Sequence, residues 1–117
     1  MARDEFLYLR HILDAINIVE EYLDGVDEKK FIETRLLQDG VIRQIEIIGE
    51  AARHVSKDMR KTYPEIPWED IVGMRDKLIH GYFGVDIEKV YDTAREDLPV
   101  LHKQVIGILK DFGQDAS

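Results

Sequence analysis

The chain has 117 residues, enough for a single domain (residues 1–117) with one hydrophobic core, and 44% of them are hydrophobic and 34% charged. The absence of cysteine excludes disulfides and thiol chemistry, and no stretch approaches the roughly 20 apolar residues of a membrane span, so we expect a cytoplasmic protein without membrane contact. The formal net charge of −8 excludes a protein that coats nucleic acid through a diffuse basic surface.

Apolar residues at helical spacing predict a long first helix from Asp4 to Leu23, which Gly25 ends. A short second helix is expected from Glu28 to about Leu37. The next helix, up to Val55, should be the most deeply buried one, because its apolar residues form one continuous stripe. Gly49 within this stripe indicates that another helix approaches closely.

In the second half of the chain, Ser56 is expected to cap a brief turn through Met59. Pro67 then begins a helix that ends at Gly81, and Asp86 caps a last helical stretch in which Pro99 marks a kink or a restart. Four principal helices with short connections predict an all-α fold, an antiparallel four-helix bundle with short extra helices.

The most informative segment is Arg75-Asp76-Lys77-Leu78-Ile79-His80-Gly81-Tyr82. On a helix, Arg75 and His80 do not share a face, whereas Asp76 and His80 do, so the carboxylate can orient the imidazole. These residue types suit metal-independent RNA cleavage, with Arg75 stabilising the phosphoryl transition state and His80 transferring a proton. One histidine cannot easily act as acid and base at once, so a two-fold homodimer would complete the set.

Simpler interpretations stand beside this one. Arg75, Asp76 and Lys77 also fit ordinary exposed helix charges, and Trp68 fits a packing anchor better than a platform for an RNA base. Glu50 and His54 do not make a metal site, because a second such pair is missing, so we expect neither metal nor cofactor. RNA binding would need a local basic cleft, for which the candidate residues are Arg53, Lys57, Arg60, Lys61, Arg75 and Lys77.

Several blocks of the chain resemble successive signature segments of the HepT toxin family. They are Glu21–Leu23, Ile47–Ala52, Ile66–Trp68, Gly73–Arg75, Leu78–Asp86 and Asp97–Pro99. HepT proteins belong to the HEPN superfamily of helical-bundle ribonucleases, whose motif is an arginine, a polar residue, three to five further residues and a histidine. The resemblance implies that Arg75, Asp76 and His80 are the catalytic positions, although Asp76 stands where the family often has asparagine.

The resemblance also implies partners and a means of control. HepT toxins form homodimers with the two motifs in a shared cleft, and they pair with a MntA-type nucleotidyltransferase antitoxin. That antitoxin transfers AMP from ATP onto the tyrosine two positions after the histidine, which is Tyr82 here. The alternative is a non-catalytic helical dimer that only binds the nucleotidyltransferase and serves as its substrate.

Overall fold

Helices make up the regular structure of the computed structural model, which describes residues 3–78 and 84–115. The prediction of an all-α fold is confirmed. Within the described residues no helix is both long and apolar enough to cross a membrane. In chain order the helices are α1 (Arg3–Tyr22), α2 (Glu28–Glu33), α3 (Arg35–Arg53), α4 (Lys57–Thr62), α5 (Trp68–Val72), α6 (Met74–Leu78), α7 (Ile87–Asp92) and α8 (Leu98–Asp111), with a π-helical turn at Thr93–Asp97 between α7 and α8.

Helices α1 and α3 lie antiparallel along most of their length. At one end the buried carboxylate of Glu5 accepts a hydrogen bond from the backbone N–H of Ser56, just beyond α3, at 3.0 Å. At the other end the ring of Tyr22 lies against Gly40, where even a Cβ would come within 2.8 Å of the ring. The apolar stripe of α3 is buried, as its periodicity predicts, and this helix packs against α1.

Helix α8 also runs antiparallel to α1. His102 Nε2, in the first half of α8, lies 3.0 Å from Asn17 Oδ1, in the second half of α1. The rings of Phe6, near the start of α1, and Phe112, just after α8, meet edge to face at 5.6 Å. Apolar side chains from the three long helices and their connections share one core. The largest fully buried members are Leu9, Ile12, Ile16, Leu23, Phe31, Ile45, Ile48, Met59, Ile66, Leu98, Ile108 and Leu109.

The predicted second helix, from Glu28 to about Leu37, is wrong beyond Glu33. Thr34 adopts extended angles (φ −119°, ψ 93°), and α3 begins at Arg35, so Leu37 belongs to α3. The side chain of Gln38 donates to the carbonyls of both Phe31 and Ile32 at 2.9 Å. These bonds satisfy the carbonyl groups that the end of α2 leaves open, which makes the break favourable.

The predicted helix from Pro67 to Gly81 is two helices, α5 and α6, divided at Gly73. Gly73 lies near φ −87° and ψ 1°, and its N–H still donates to the Glu69 carbonyl at 3.0 Å. Glycine has low helix propensity, so a turn at this residue costs little. The predicted end of the helix at Gly81 lies outside the described residues.

Two capping predictions are confirmed. Ser56 Oγ accepts from the Met59 N–H at 3.1 Å, and Asp86 Oδ1 accepts from the Lys89 N–H at 3.1 Å.

The restart expected at Pro99 is the π-helical turn that precedes α8, where the Leu98 N–H donates to the Thr93 carbonyl, five residues back. Proline cannot donate a backbone hydrogen bond, and its ring clashes with a regular preceding turn, which accounts for the wider turn here.

Candidate functional site

Arg75 lies on the solvent side of α6. The buried side chains of Met74 and Leu78 turn the helix so that the three charged residues between them face outward. The side chain of Arg75 is 51% exposed, which leaves its guanidinium accessible to a ligand. This exposure is compatible with both interpretations of the sequence, a phosphate-binding arginine and an ordinary exposed helix charge.

A carboxylate that was not predicted from the sequence binds this guanidinium. Arg75 Nε donates to Glu46 Oε2 at 3.1 Å, and the side chain of Glu46, on α3, is 34% exposed. Glu46 lies one turn before Gly49, and a Cβ at Gly49 would stand 3.3 Å from the Ile71 carbonyl of α5. Gly49 and Glu46 lie on the same face of α3, because they are three residues apart. The glycine that predicts close approach of another helix therefore also indicates the face of α3 that carries the partner of Arg75.

Asp76 also lies beside the guanidinium of Arg75. Its Oδ1 is 3.6 Å from Arg75 Nη1, an ion pair beyond hydrogen-bond distance, and its side chain is 87% exposed. A carboxylate this exposed is strongly screened by water and can turn away at little cost. Asp76 therefore adds negative charge beside Arg75 without fixing its orientation.

The six candidate cations of the predicted basic cleft divide into two groups. Arg60 donates to backbone carbonyls at the end of α3, the shortest bond being 2.8 Å to Ala52, and Lys77 pairs with Asp70 at 2.8 Å. Together with Arg75, these cations already have protein partners. The others are exposed at the end of α3 and on α4: Arg53, Lys57 and Lys61.

The predicted proton-transfer residue His80 and the predicted modification site Tyr82 lie outside the described residues. The described residues on either side of them are joined, because the backbone N–H of Asp86 donates to the Leu78 carbonyl at 3.0 Å. Asp86 therefore lies beside the last described residue of α6. Arg75 lies within one turn of that residue.

The other histidines, His11, His54 and His102, lie on exposed or partly exposed helix surfaces or edges. His54 stacks on Tyr8 with ring centroids 4.7 Å apart, and its Nε2 is 3.4 Å from Glu50, while His11 meets the edge of the same tyrosine ring. Among residues 3–78 and 84–115, no three histidine or carboxylate side chains form a group suited to a metal ion.

Tyr63 and Trp68 are structural rather than surface platforms. Trp68 is 5% exposed, and its indole N–H donates to the Tyr63 carbonyl at 3.0 Å, which confirms the packing-anchor interpretation. The Tyr63 hydroxyl donates to Asp111 Oδ2 at 2.8 Å. Burial, and then this bond to a carboxylate, raise the pKa of Tyr63 to about 12, so the hydroxyl stays protonated.

A groove of about 680 Å³ runs between α5–α6 and the α7–α8 segment. Apolar side chains including Ile71, Met74 and Leu101 line it, and the charged residues Lys77, Lys89 and Asp97 also border it. Arg75 is absent from its lining, so the groove and the guanidinium occupy different faces of α6.

Residues 12–108 match the family described as Ribonuclease HepT-like, and the chain therefore belongs to this family of ribonucleases. It is 43% identical over 101 residues to "Probable ribonuclease HepT" of Thermococcus cleftensis, covering 86% of this chain and 92% of that protein. It is 40% identical over 103 residues to "Putative RNase MJ1380" of Methanocaldococcus jannaschii, covering 88% of this chain and 94% of the relative.

A third relative is longer than this chain. "Gamma-glutamylcyclotransferase and putative RNase MJ0434" of Methanocaldococcus jannaschii is 39% identical over 115 residues. The match takes in 98% of this chain but only 52% of that relative, so the chain spans about half its length. No solved structure matches the chain.

Proposed function

We propose that this protein is the toxin of a toxin–antitoxin pair and acts as a metal-independent endoribonuclease. The observation that carries the proposal is the exposed guanidinium of Arg75, placed at the motif position of a chain that belongs to the HepT-like ribonuclease family. Its planar array of donors matches the oxygens of a phosphate group.

The proposed reaction is an internal transfer on RNA. A base removes the proton of a 2′-hydroxyl, whose oxygen forms a bond to the adjacent phosphorus, and the bond from phosphorus to the 5′-oxygen breaks. An acid protonates the departing 5′-oxygen, so the products are a 2′,3′-cyclic phosphate and a 5′-hydroxyl. Arg75 stabilises the charge on the phosphoryl oxygens, and His80 carries the proton transfer.

A homodimer would supply the second proton-transfer group. Each chain carries one motif histidine, and a two-fold axis places equivalent surfaces of two copies against each other. Two copies of His80 facing one cleft can then serve as base and acid in one reaction. In this arrangement Asp76 supports the site by orienting the imidazole of His80, which lies one helical turn further along the sequence.

Control is proposed to come from a MntA-type nucleotidyltransferase antitoxin. The hydroxyl oxygen of Tyr82 forms a bond to the α-phosphorus of ATP, and pyrophosphate leaves. The attached AMP puts an anion two residues from His80 in the sequence, where it competes with RNA phosphate for Arg75. The join between Leu78 and Asp86 supports this proposal, because it keeps both ends of the intervening segment beside α6.

Cleavage of total RNA in the presence of EDTA tests the ribonuclease part. We expect the wild-type protein to degrade RNA into products with 2′,3′-cyclic phosphate ends, and Arg75→Ala and His80→Ala to be at least about 100-fold slower. Equal activity in all three proteins would rule out the assigned roles.

Intact mass after incubation with the nucleotidyltransferase and ATP tests the control. An AMP-sized increment on the wild type that is missing from Tyr82→Phe supports modification at this residue. If the increment forms but unmodified protein leaves RNA intact, the chain is the non-catalytic binding partner instead. No increment on the wild type would remove AMP transfer from the account.

A further inference from the structure

Glu46 and Arg75 form a contact between two helices that are far apart in the sequence. Nε of Arg75 is the atom that donates to Glu46, at 3.1 Å, and Glu46 is the hydrogen-bond acceptor that the described residues provide for this guanidinium. Asp76 is near Nη1, but at 3.6 Å it does not form a hydrogen bond. The side of the guanidinium that carries Nη1 and Nη2 is therefore the side that a phosphate can approach.

The position of Glu46 is fixed more firmly than that of Asp76. Its neighbour Ile45 and, half a turn on, Ile48 are buried in the core, and Gly49 packs against the carbonyl groups at the end of α5. Glu46 itself is 34% exposed, against 87% for Asp76. A carboxylate anchored on the most buried helix can hold a long, flexible arginine in one orientation.

We propose that Glu46 is a positioning residue for the ribonuclease reaction, which binds Nε of Arg75 so that the two terminal nitrogens face the phosphoryl oxygens. This inference rests on the proposed ribonuclease function. The energetic reason is that a preoriented cation stabilises a transition state without first reorganising.

The contact between Glu46 and Arg75 is also compatible with an opposite role, in which Glu46 hinders RNA binding. Measurements of kcat and KM distinguish this role from the positioning of Arg75. A carboxylate beside a phosphate-binding arginine also repels RNA, so by charge alone its removal strengthens RNA binding and lowers KM. If Glu46 only competed with RNA, its removal would leave kcat unchanged or raise it. If Glu46 positions Arg75, kcat falls while KM stays the same or decreases.

The experiment compares Glu46→Ala, Glu46→Gln and Glu50→Ala with wild type in RNA cleavage. Glu50 is a matched control, because it lies one turn further along α3, is exposed, and pairs with His54 instead of an arginine. We expect kcat to fall about 10- to 100-fold in Glu46→Ala, because a misplaced catalytic group costs on this order. Glu46→Gln keeps an oxygen acceptor for Nε and should lose less, whereas Glu50→Ala should keep the wild-type kcat.

Combination with Arg75→Ala sharpens the comparison. If Glu46 acts through Arg75, adding Glu46→Ala to Arg75→Ala causes no further loss of kcat. A wild-type kcat in Glu46→Ala, or full additivity in the double variant, overturns the positioning role and leaves the ribonuclease function intact. An inactive wild type overturns both.

Nuclear magnetic resonance of the arginine Nε–H group gives a readout that does not depend on activity. We expect the Arg75 Nε–H signal to exchange slowly with water in wild type and in Glu50→Ala, and quickly in Glu46→Ala. Equal exchange in all three proteins would contradict the contact itself. Unchanged melting temperatures confirm that the variants remain folded.

Discussion

Two arginines in this protein meet very different partners. Arg95, on the π-helical turn, donates through Nη2 to the Val26 carbonyl at 2.6 Å and through Nε to the Tyr91 hydroxyl at 3.2 Å. Arg75, on α6, has a carboxylate as its hydrogen-bond partner. The carbonyl group of Val26 belongs to the backbone that follows α1. By binding it, Arg95 stabilises the packing of that segment against the π-helical turn.

The difference teaches how to separate a structural cation from a functional one. Arg95 joins the connection between α1 and α2 to the π-helical turn, and the two bonded residues are 69 positions apart in the sequence. Arg75 joins two carboxylates at an exposed position and keeps donors for an outside anion. Removal of Arg95 should therefore affect stability, and removal of Arg75 should affect activity.

The largest effect is expected for Arg75→Lys. Lysine keeps the charge but has neither the Nε–H that binds Glu46 nor the planar fork that matches phosphate. We expect RNA cleavage to fall by about 100-fold, close to the loss of one transition-state donor, with an unchanged melting temperature. Wild-type cleavage by Arg75→Lys would show that charge alone suffices and would weaken the comparison.

Arg95→Ala should destabilise the fold instead. Loss of charged hydrogen bonds to backbone carbonyls should lower the free energy of unfolding by about 2 kcal/mol, measured by urea denaturation. Cleavage per folded molecule should remain at the wild-type rate. A stable Arg95→Ala with impaired cleavage would reverse the roles assigned to the two arginines.

A smaller effect on stability is expected when alanine replaces either of two helical glycines, Gly107 or Gly49. Gly107→Ala places a Cβ in open space and should stabilise by up to about 1 kcal/mol, the difference in helix propensity. At Gly49 the new Cβ stands 3.3 Å from the Ile71 carbonyl, so α5 must move and the gain is lost. Urea denaturation of both variants checks this order, and an equal gain at Gly49 would contradict the close packing of α3 and α5.

The smallest effect is expected for Tyr63→Phe, which removes the hydrogen bond to Asp111 and should cost at most about 1 kcal/mol. Because the pKa of Tyr63 is raised to about 12 in the folded protein, its contribution is complete below pH 10 and is lost as the pH rises toward 12. The variant should therefore lose less stability over this range than wild type. If the melting temperatures of wild type and Tyr63→Phe fell by the same amount between pH 10 and pH 12, the raised pKa of Tyr63 would be contradicted.

The sequence predicts the long helices well, because their apolar residues recur regularly and each faces the common core. It does not predict the breaks at Thr34 and Gly73. The break at Thr34 depends on the Gln38 side chain, which completes the end of α2. The break at Gly73 keeps the local bond from its N–H to the Glu69 carbonyl, so the apolar pattern continues across it without a signal. Apolar periodicity indicates which face of a helix is buried. It does not indicate where a side chain forms hydrogen bonds with the free carbonyl groups at a helix end.

The candidate site was only partly predictable for a similar reason. Arg75 and Asp76 belong to a local motif that the sequence displays directly. Glu46 lies 29 residues before Arg75, and only the packing of α3 on α5 and α6 brings the two together. The roles of His80 and Tyr82 stay predictions that rest on the family motif.

The most direct test of the central claim is single-turnover cleavage of an end-labelled single-stranded RNA in EDTA by wild type and Arg75→Ala at equal folded concentration. The account predicts a 2′,3′-cyclic phosphate product and a rate at least about 100-fold lower for the variant. Equal rates for the two proteins, or no cleavage by wild type, would contradict it.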